Sequence, residues 1–461
     1  MATVTEMIGA AYDALFKSLN LGDNAFLQLA WPGIALSPAD FKDPASPTGP
    51  YDPGYAEETF SFLGNIVPVF SPTQFLNSGL EIDDLYQFLI SAAIPLGVPL
   101  DQLLTNPAYK LFADAQFEFA SARHGSRKDA SAFYYPCQAT PADWYTEANA
   151  ATWATFSVNS DQPAPPPSLS QFVKRGGAAL LAKGVWQLKP AATAITLKAS
   201  LQQTVQTRAA TLASTLKPAS GPPIYRPLEA SRALAGGSSL FGASGVHLAT
   251  PLVASSALGG LEVSPRLAEA AVKTQLRPAP LLSTSKLGPA LLNQVQVDPD
   301  RLEVTNTLKL PFNAKLLLNS LLNSLLLPQP VASGSKNFSI SFRYTQVTIT
   351  RPWLKLALLS FKNWYVPGSA AGEYATGTPT SNPGLFALLP LSFLAIRDLK
   401  ITAEWSAEDR AAANRAAAFG PFSTKAGTFT RDTLEVPGLQ ILAAVSRLMP
   451  MLPPVKAPAH A

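Results

Sequence analysis

Residues 337–350 read NFSISFRYTQVTIT, with apolar or aromatic side chains at Phe338, Ile340, Phe342 and Tyr344 and Ser or Arg between them. A period of two marks a β-strand with one buried and one wet face. The phase then slips, because the next apolar residues are Val347 and Ile349. One extra residue is what a β-bulge inserts, so a bulge is expected between Tyr344 and Val347. Residues 391–405 (LSFLAIRDLKITAEW) repeat the pattern, alternating Leu399, Ile401, Ala403 and Trp405 with Asp398, Lys400, Thr402 and Glu404. Residues 301–310 (RLEVTNTLKL) add Leu302, Val304, Leu308 and Leu310. Ser406 is placed to cap an Ala-rich helix, with Asp409 three residues on and Gly420 as its stop. The last third therefore reads as an antiparallel β-containing domain.

Toward the N-terminus the period changes to that of helices. Met7, Ala10, Ala11, Ala14, Leu15 and Leu19 give one apolar face to a helical stretch over 1–30, which Trp31-Pro32-Gly33 ends. Helices are also expected over 83–93 and over 106–122, where Asn106 caps and Pro107 takes the first helical position. Residues 133–156 are aromatic-rich, and the Pro-rich run 162–168 has the composition of a semi-rigid spacer. Beyond it, 169–189 and 195–216 read as a helical hairpin, and 217–290 is Ala/Ser/Gly/Pro-rich and resists assignment.

The expected fold class is thus α+β: a helical N-terminal part, a Pro/Ala/Ser-rich middle and an antiparallel β-containing C-terminal domain. The expected divisions are an acidic, mainly helical domain over 1–160, a connector over 161–290, a basic β-sheet-containing domain over 291–445 and a Pro-rich tail over 446–461.

Composition excludes several classes. Charged residues are only 14% of 461 and hydrophobic ones 47%, against a usual charged share of about 25%, so a chain kept unfolded by charge is ruled out. One cysteine and three histidines exclude an intramolecular disulfide and a Cys/His zinc set. The opening residues lack a basic stretch ahead of an apolar run, and no apolar run reaches the roughly 20 residues of a spanning helix. A cytoplasmic location is therefore the default expectation, with signal-independent export left open. Charge is unevenly distributed: residues 1–150 hold 17 Asp and Glu against 6 Lys and Arg, and the remainder holds 14 against 29. Such asymmetry lets two halves attract, within one chain or head to tail between chains. The bases are scattered rather than clustered, so nucleic acid is an unlikely partner.

No phosphate-binding glycine loop, nucleophile elbow or calcium-loop pattern occurs. The paired carboxylates Glu57-Glu58, Asp83-Asp84 and Asp298 with Asp300 leave a carboxylate hydrolase as one alternative. Two stretches suggest contact surfaces. In KLLLNSLLNSLLL (315–327), Asn319 and Asn323 lie on a narrow polar stripe of a leucine helix. In TRPWLKLALLSFKNWYVPG (350–368), Arg351, Trp353, Lys362 and Trp364 have the composition of an interfacial membrane helix. Trp144, Tyr145 and Trp153 of the aromatic junction complete the candidate interaction residues; their ordinary role is to pack a seam. No catalytic, cofactor-binding or metal-binding residue stands out. The sequence points to a non-enzymatic interaction or assembly protein with opposed acidic and basic surfaces, its partner itself or another protein. A membrane-active or toxin-like protein that meets a membrane surface is the other alternative.

Overall fold

The computed structural model describes residues 4–22, 24–43, 46, 48–97, 106–125, 135–160, 171–181, 184–215, 292–293, 295–305, 312–332 and 334–457. The unassigned stretch 217–290, the Pro-rich run 162–168, and Leu308 and Leu310 lie outside them. In chain order the first elements are α1 (Val4–Ser18), β1 (Ala25–Leu36), a 3-10 turn (Pro38–Phe41), α2 (Pro53–Gly64), β2 (Ile66–Pro68), β3 (Gln74–Phe75), β4 (Asn77–Glu81) and α3 (Ile82–Ala92). β5 (Ile94–Pro95), α4 (Pro107–Gly125), β6 (Gln138–Thr140), α5 (Glu147–Ala150), β7 (Ala154–Asn159), α6 (Gln171–Lys174), α7 (Ala178–Leu181) and β8 (Trp186–Leu188) follow. Then come α8 (Ala194–Thr215), β9 (Gln296–Asp298), β10 (Glu303–Thr305), α9 (Phe312–Asn323), β11 (Leu327–Gln329), β12 (Lys336–Thr350), α10 (Leu356–Leu359) and β13 (Trp364–Tyr365). The chain continues through β14 (Leu388–Glu404), α11 (Ala407–Arg415), β15 (Ala416–Phe419), β16 (Phe422–Ser423), β17 (Thr428–Thr430), β18 (Thr433–Val436) and β19 (Leu439–Leu448).

The fold is mixed α+β, and its main sheet is antiparallel-rich with β14 as the spine. β12 pairs along one edge of β14, while β19 takes the first part of the other edge and β18 the second. β19 passes the sheet on to β1, which adds the short parallel β3; the far edge of β12 carries β7 and β6. Strands from the first 160 residues and strands from the C-terminal third therefore share one sheet.

Each face of this sheet carries a buried core over part of its length. On one, Met7, Ile8, Tyr12 and Leu15 of α1 pack on Leu27, Leu29, Phe338, Ile340, Leu394 and Ile396. On the other, Phe60 and Leu63 of α2 join Trp144, Val347, Ile349, Phe393 and Ala395. This arrangement explains the phase slip in β12. Its register with β14 runs unbroken from Arg343 opposite Arg397 to Thr348 opposite Ser392, and the shifts lie at Lys336/Ser339 and Ser341/Arg343. The expected bulge between Tyr344 and Val347 is absent; instead the apolar side chains change face, from the α1 side to the α2 side.

Double-sided burial also corrects the reading of 1–30 as helix. α1 ends at Ser18, and Phe26 to Ala30 form a strand buried on both faces, which erases the period-two signal and leaves an apolar run. Pro32 sits where the β1–β19 register shifts between Leu29 and Ile34, a place where a missing N–H is tolerated. The expected helix over 169–189 is two single turns and β8, with Gly176 and Gly184 at positive φ between and after the turns. The stretch 350–368 is not an interfacial helix; it forms one helical turn, α10, and β13. The Ala-rich helix capped by Ser406 stops at Arg415, and Ala416 and Phe419 pair with β8.

Gly33 marks the closest approach of β1 to a second sheet. A Cβ there would lie 2.5 Å from Gln440 Oε1 and 2.8 Å from the Pro421 carbonyl oxygen, while the Gly33 N–H already donates to that carbonyl. The Gln440 amide is buried and held at both ends by the Ser423 backbone, and the Pro421 oxygen cannot move aside, so Gly33→Ala is expected to lower stability by about 2 kcal/mol, the range of overpacked sites, read as a lower urea midpoint at unchanged slope.

Candidate interaction face

α2 begins as its sequence dictates. Asp52 caps it, accepting from the Gly54 N–H at 2.7 Å, and Pro53 occupies the first turn. Ala56, Thr59, Phe60 and Leu63 turn into the sheet, and the Thr59 hydroxyl donates to the Asp40 carbonyl at 2.6 Å. Beneath the helix lies an aromatic floor: Phe41 stacks on Tyr145 at 4.9 Å and meets Trp144 edge-on at 5.9 Å, while Tyr51 meets Tyr145 at 5.7 Å. The outward residues of α2 are Tyr55, Glu57 and Glu58, all half-buried, with Tyr135 beside them.

This face is electronegative and largely uncompensated. Among the described residues, Asp52, Glu57, Glu58 and Asp143 form no ion pair. Burial raises the Glu57 and Glu58 carboxyls above their ordinary 4.5. The Tyr55, Tyr135 and Tyr145 phenols are also raised, first by burial and then by the surrounding carboxylates: Asp43, Glu58 and Asp52 for Tyr55; Glu58, Glu57 and Asp52 for Tyr135; Asp143 and Asp52 for Tyr145. The chain's own bases show how such a face holds a cation. Lys315 Nζ reaches Asp40 at 2.6 Å, and Lys42 Nζ lies 5.5 Å from the Tyr51 ring centroid. Elsewhere, pairs between the acidic first part and the basic remainder are Lys355 with Glu118 at 2.6 Å and Arg397 with Glu147 at 3.5 Å. The other ion-paired later bases among the described residues meet later acids, as Lys400 meets Glu435 and Arg410 meets Asp432.

No protein-family model matches the chain, nor does any curated protein or solved structure.

The residues singled out in sequence are mostly interior. Trp144, Tyr145 and Trp153 belong to the core under α2. Trp353 and Trp364 fill a third core with Tyr86, Phe112 and Phe119, and the Trp353 indole donates to the Pro136 carbonyl at 2.6 Å. Arg351 is buried; it donates to the Pro390 carbonyl at 2.8 Å and to the Gly64 carbonyl. Asn319 accepts from the Val304 N–H at 2.8 Å, so part of the polar stripe of α9 meets the β9–β10 hairpin; Asn323 is half-buried and Lys362 exposed.

Two of the three carboxylate pairs have structural partners. Asp298 closes the β9–β10 turn by accepting from the N–H groups of Asp300 and Arg301 at 2.8 and 3.1 Å. Asp83 is buried, exchanges hydrogen bonds with Asn65, and lies with Glu81 and Asp84 in one acidic cluster. Arg123 stands 3.9 Å from Asp83 and 3.8 Å from Asp84, so the cluster has a cationic side chain beside it. Cys137 donates to the Ser61 carbonyl at 3.3 Å, and burial pushes its thiol up to about 11. No helix among the described residues is long and apolar enough to cross a membrane.

Proposed function

We propose that this chain works by binding rather than turnover, as an interaction or assembly protein, and that the carboxylate and tyrosine face over α2 takes a cationic surface of another copy or of a second protein. The supporting observation is the set Asp52, Glu57, Glu58 and Asp143, which stands with three phenols and has no ion-paired base among the described residues. Carboxylates at a partly desolvated site raise the local attraction for Lys and Arg, and flanking phenol rings add cation–π contact.

The test is mass photometry across a salt series together with titration by an oligolysine peptide. The expected result is a particle heavier than 48.8 kDa at low salt that shrinks as the Debye length falls from about 30 to 3 Å, and peptide binding that Glu57→Gln with Glu58→Gln weakens at least about tenfold. A 48.8 kDa particle at every ionic strength, with no peptide binding that depends on these two residues, overturns the reading.

The same substitutions carry a stability signature of opposite sign. Because both carboxyls are raised above 4.5, the folded state holds these protons more tightly than the unfolded one. The stability present below 4.5 is lost as pH rises through the raised values. The Gln pair should therefore melt at a higher temperature than the parent at pH 7, and the advantage should vanish as pH falls to the ordinary carboxylate range. Calorimetry at both pH values reads this directly.

A further inference from the structure

Among the described residues, one margin of the sheet lacks the usual protection. β3 has two residues, β6 three and β17 three, and Arg431 follows β17 closely. Short edges and nearby charge are the ordinary ways to discourage strand addition. β7, by contrast, is six residues long, reads ATFSVN, and pairs with β12 from Ala154 to Asn159 without a register shift. It carries no charge, proline or bulge.

The hydrogen-bond phase of β7 is fixed by its exit. The Ser160 N–H donates to the Phe338 carbonyl at 2.8 Å, so with the printed register Val158, Phe156 and Ala154 exchange bonds with β12, and alternate residues turn their polar backbone away. Thr155 and Ser157 are exposed and their outward N–H and C=O groups have no backbone partner among the described residues. Phe156 lies between them, half-buried and stacked on Phe342 at 4.9 Å.

We propose that the free edge of β7 takes the β7 of a second copy, antiparallel about a two-fold axis at Phe156. Thr155 of each copy then faces Ser157 of the other, which satisfies the outward groups with about four backbone hydrogen bonds. The two Phe156 side chains meet as a close non-hydrogen-bonded pair and extend the Phe342–Phe156 stack across the axis. A strand without charge places no like charges opposite each other when it meets itself, the condition an isologous contact needs. This contact is independent of the α2 face: it is neutral, so salt leaves it in place.

Sedimentation equilibrium at tens of micromolar, in low and high salt, tests it. In high salt, where the α2 contact is screened, the expected wild-type mass is twice 48.8 kDa, and Glu57→Gln with Glu58→Gln leaves it unchanged. Ser157→Pro removes an outward N–H without touching the β12 ladder, and is expected to weaken the dimer at least about 30-fold while far-ultraviolet circular dichroism and the melting temperature stay near wild type. Ser157→Lys, which keeps the N–H but sets like charges across the axis, should do the same. A wild type of 48.8 kDa at these concentrations overturns the proposal, as does a dimer that both Ser157 variants leave intact. An assembly that dissolves in salt and responds only to the Glu57 and Glu58 changes also overturns it, while leaving the α2 reading standing.

Discussion

Asp409→Ala should lose about 4 kcal/mol of stability, the largest effect expected of any single side chain described above. The Asp409 carboxylate is 1% exposed and accepts from the Trp186 indole at 2.9 Å, from the Ala332 N–H at 3.0 Å and from the Ser335 hydroxyl at 2.5 Å. The Ser335 oxygen in turn accepts from the Ser406 N–H at 2.9 Å, so β8, the segment before β12 and the start of α11 converge on one anion. Alanine strands these buried donors, and each orphan costs about 1–3 kcal/mol. Asp409→Asn keeps the volume but turns an acceptor into a donor, and should recover less than half of the loss. Urea unfolding followed by tryptophan fluorescence reads both values, because Trp186 is itself one of the donors.

Arg351→Met is expected to cost about 3 kcal/mol. The guanidinium is buried, its pKa is lowered by that burial, and it ties the end of β12 to the Gly64 and Pro390 carbonyls. Methionine fills much of the volume but leaves both carbonyls unpaired and removes the positive charge that Asp83 and Cys137 feel. Electrostatic coupling has a distinct signature here: Asp83→Asn should cost less in the Arg351→Met background than in the parent, and a double-mutant cycle measures the difference. Strict additivity would show that Arg351 acts through its hydrogen bonds alone.

The parts of this fold that the sequence discloses are those where one face is buried and one wet. The 338–342 and 399–403 alternations become β12 and β14, and Ser406 caps α11 through the Asp409 N–H at 3.1 Å. β1 is illegible for the opposite reason, since a strand buried on both sides has no period to read. Trp144, Trp353 and Trp364 are conspicuous in composition, yet aromatic content does not distinguish a seam from a surface, and packing put them inside. The α2 face was half legible. Glu57 and Glu58 stand out as neighbours, but Tyr135 meets them just ahead of β6, which pairs with β12 about 200 residues on, and Asp143 joins the face only through Tyr145. Asp409 reads as an imperfect capping residue; its role as an anchor for Trp186 depends on a partner more than 200 positions away.

The placement of β19 between β1 and β14 has a consequence for biosynthesis. Residues near position 30 emerge from the ribosome roughly 400 codons before the strand that seats them, so Phe26, Leu27 and Leu29 wait through most of translation without their neighbour. At about 5–20 residues per second that interval lasts tens of seconds. Pulse-labelled nascent chains should accordingly stay protease-sensitive and chaperone-bound until β19 clears the exit tunnel, then become resistant in one late step.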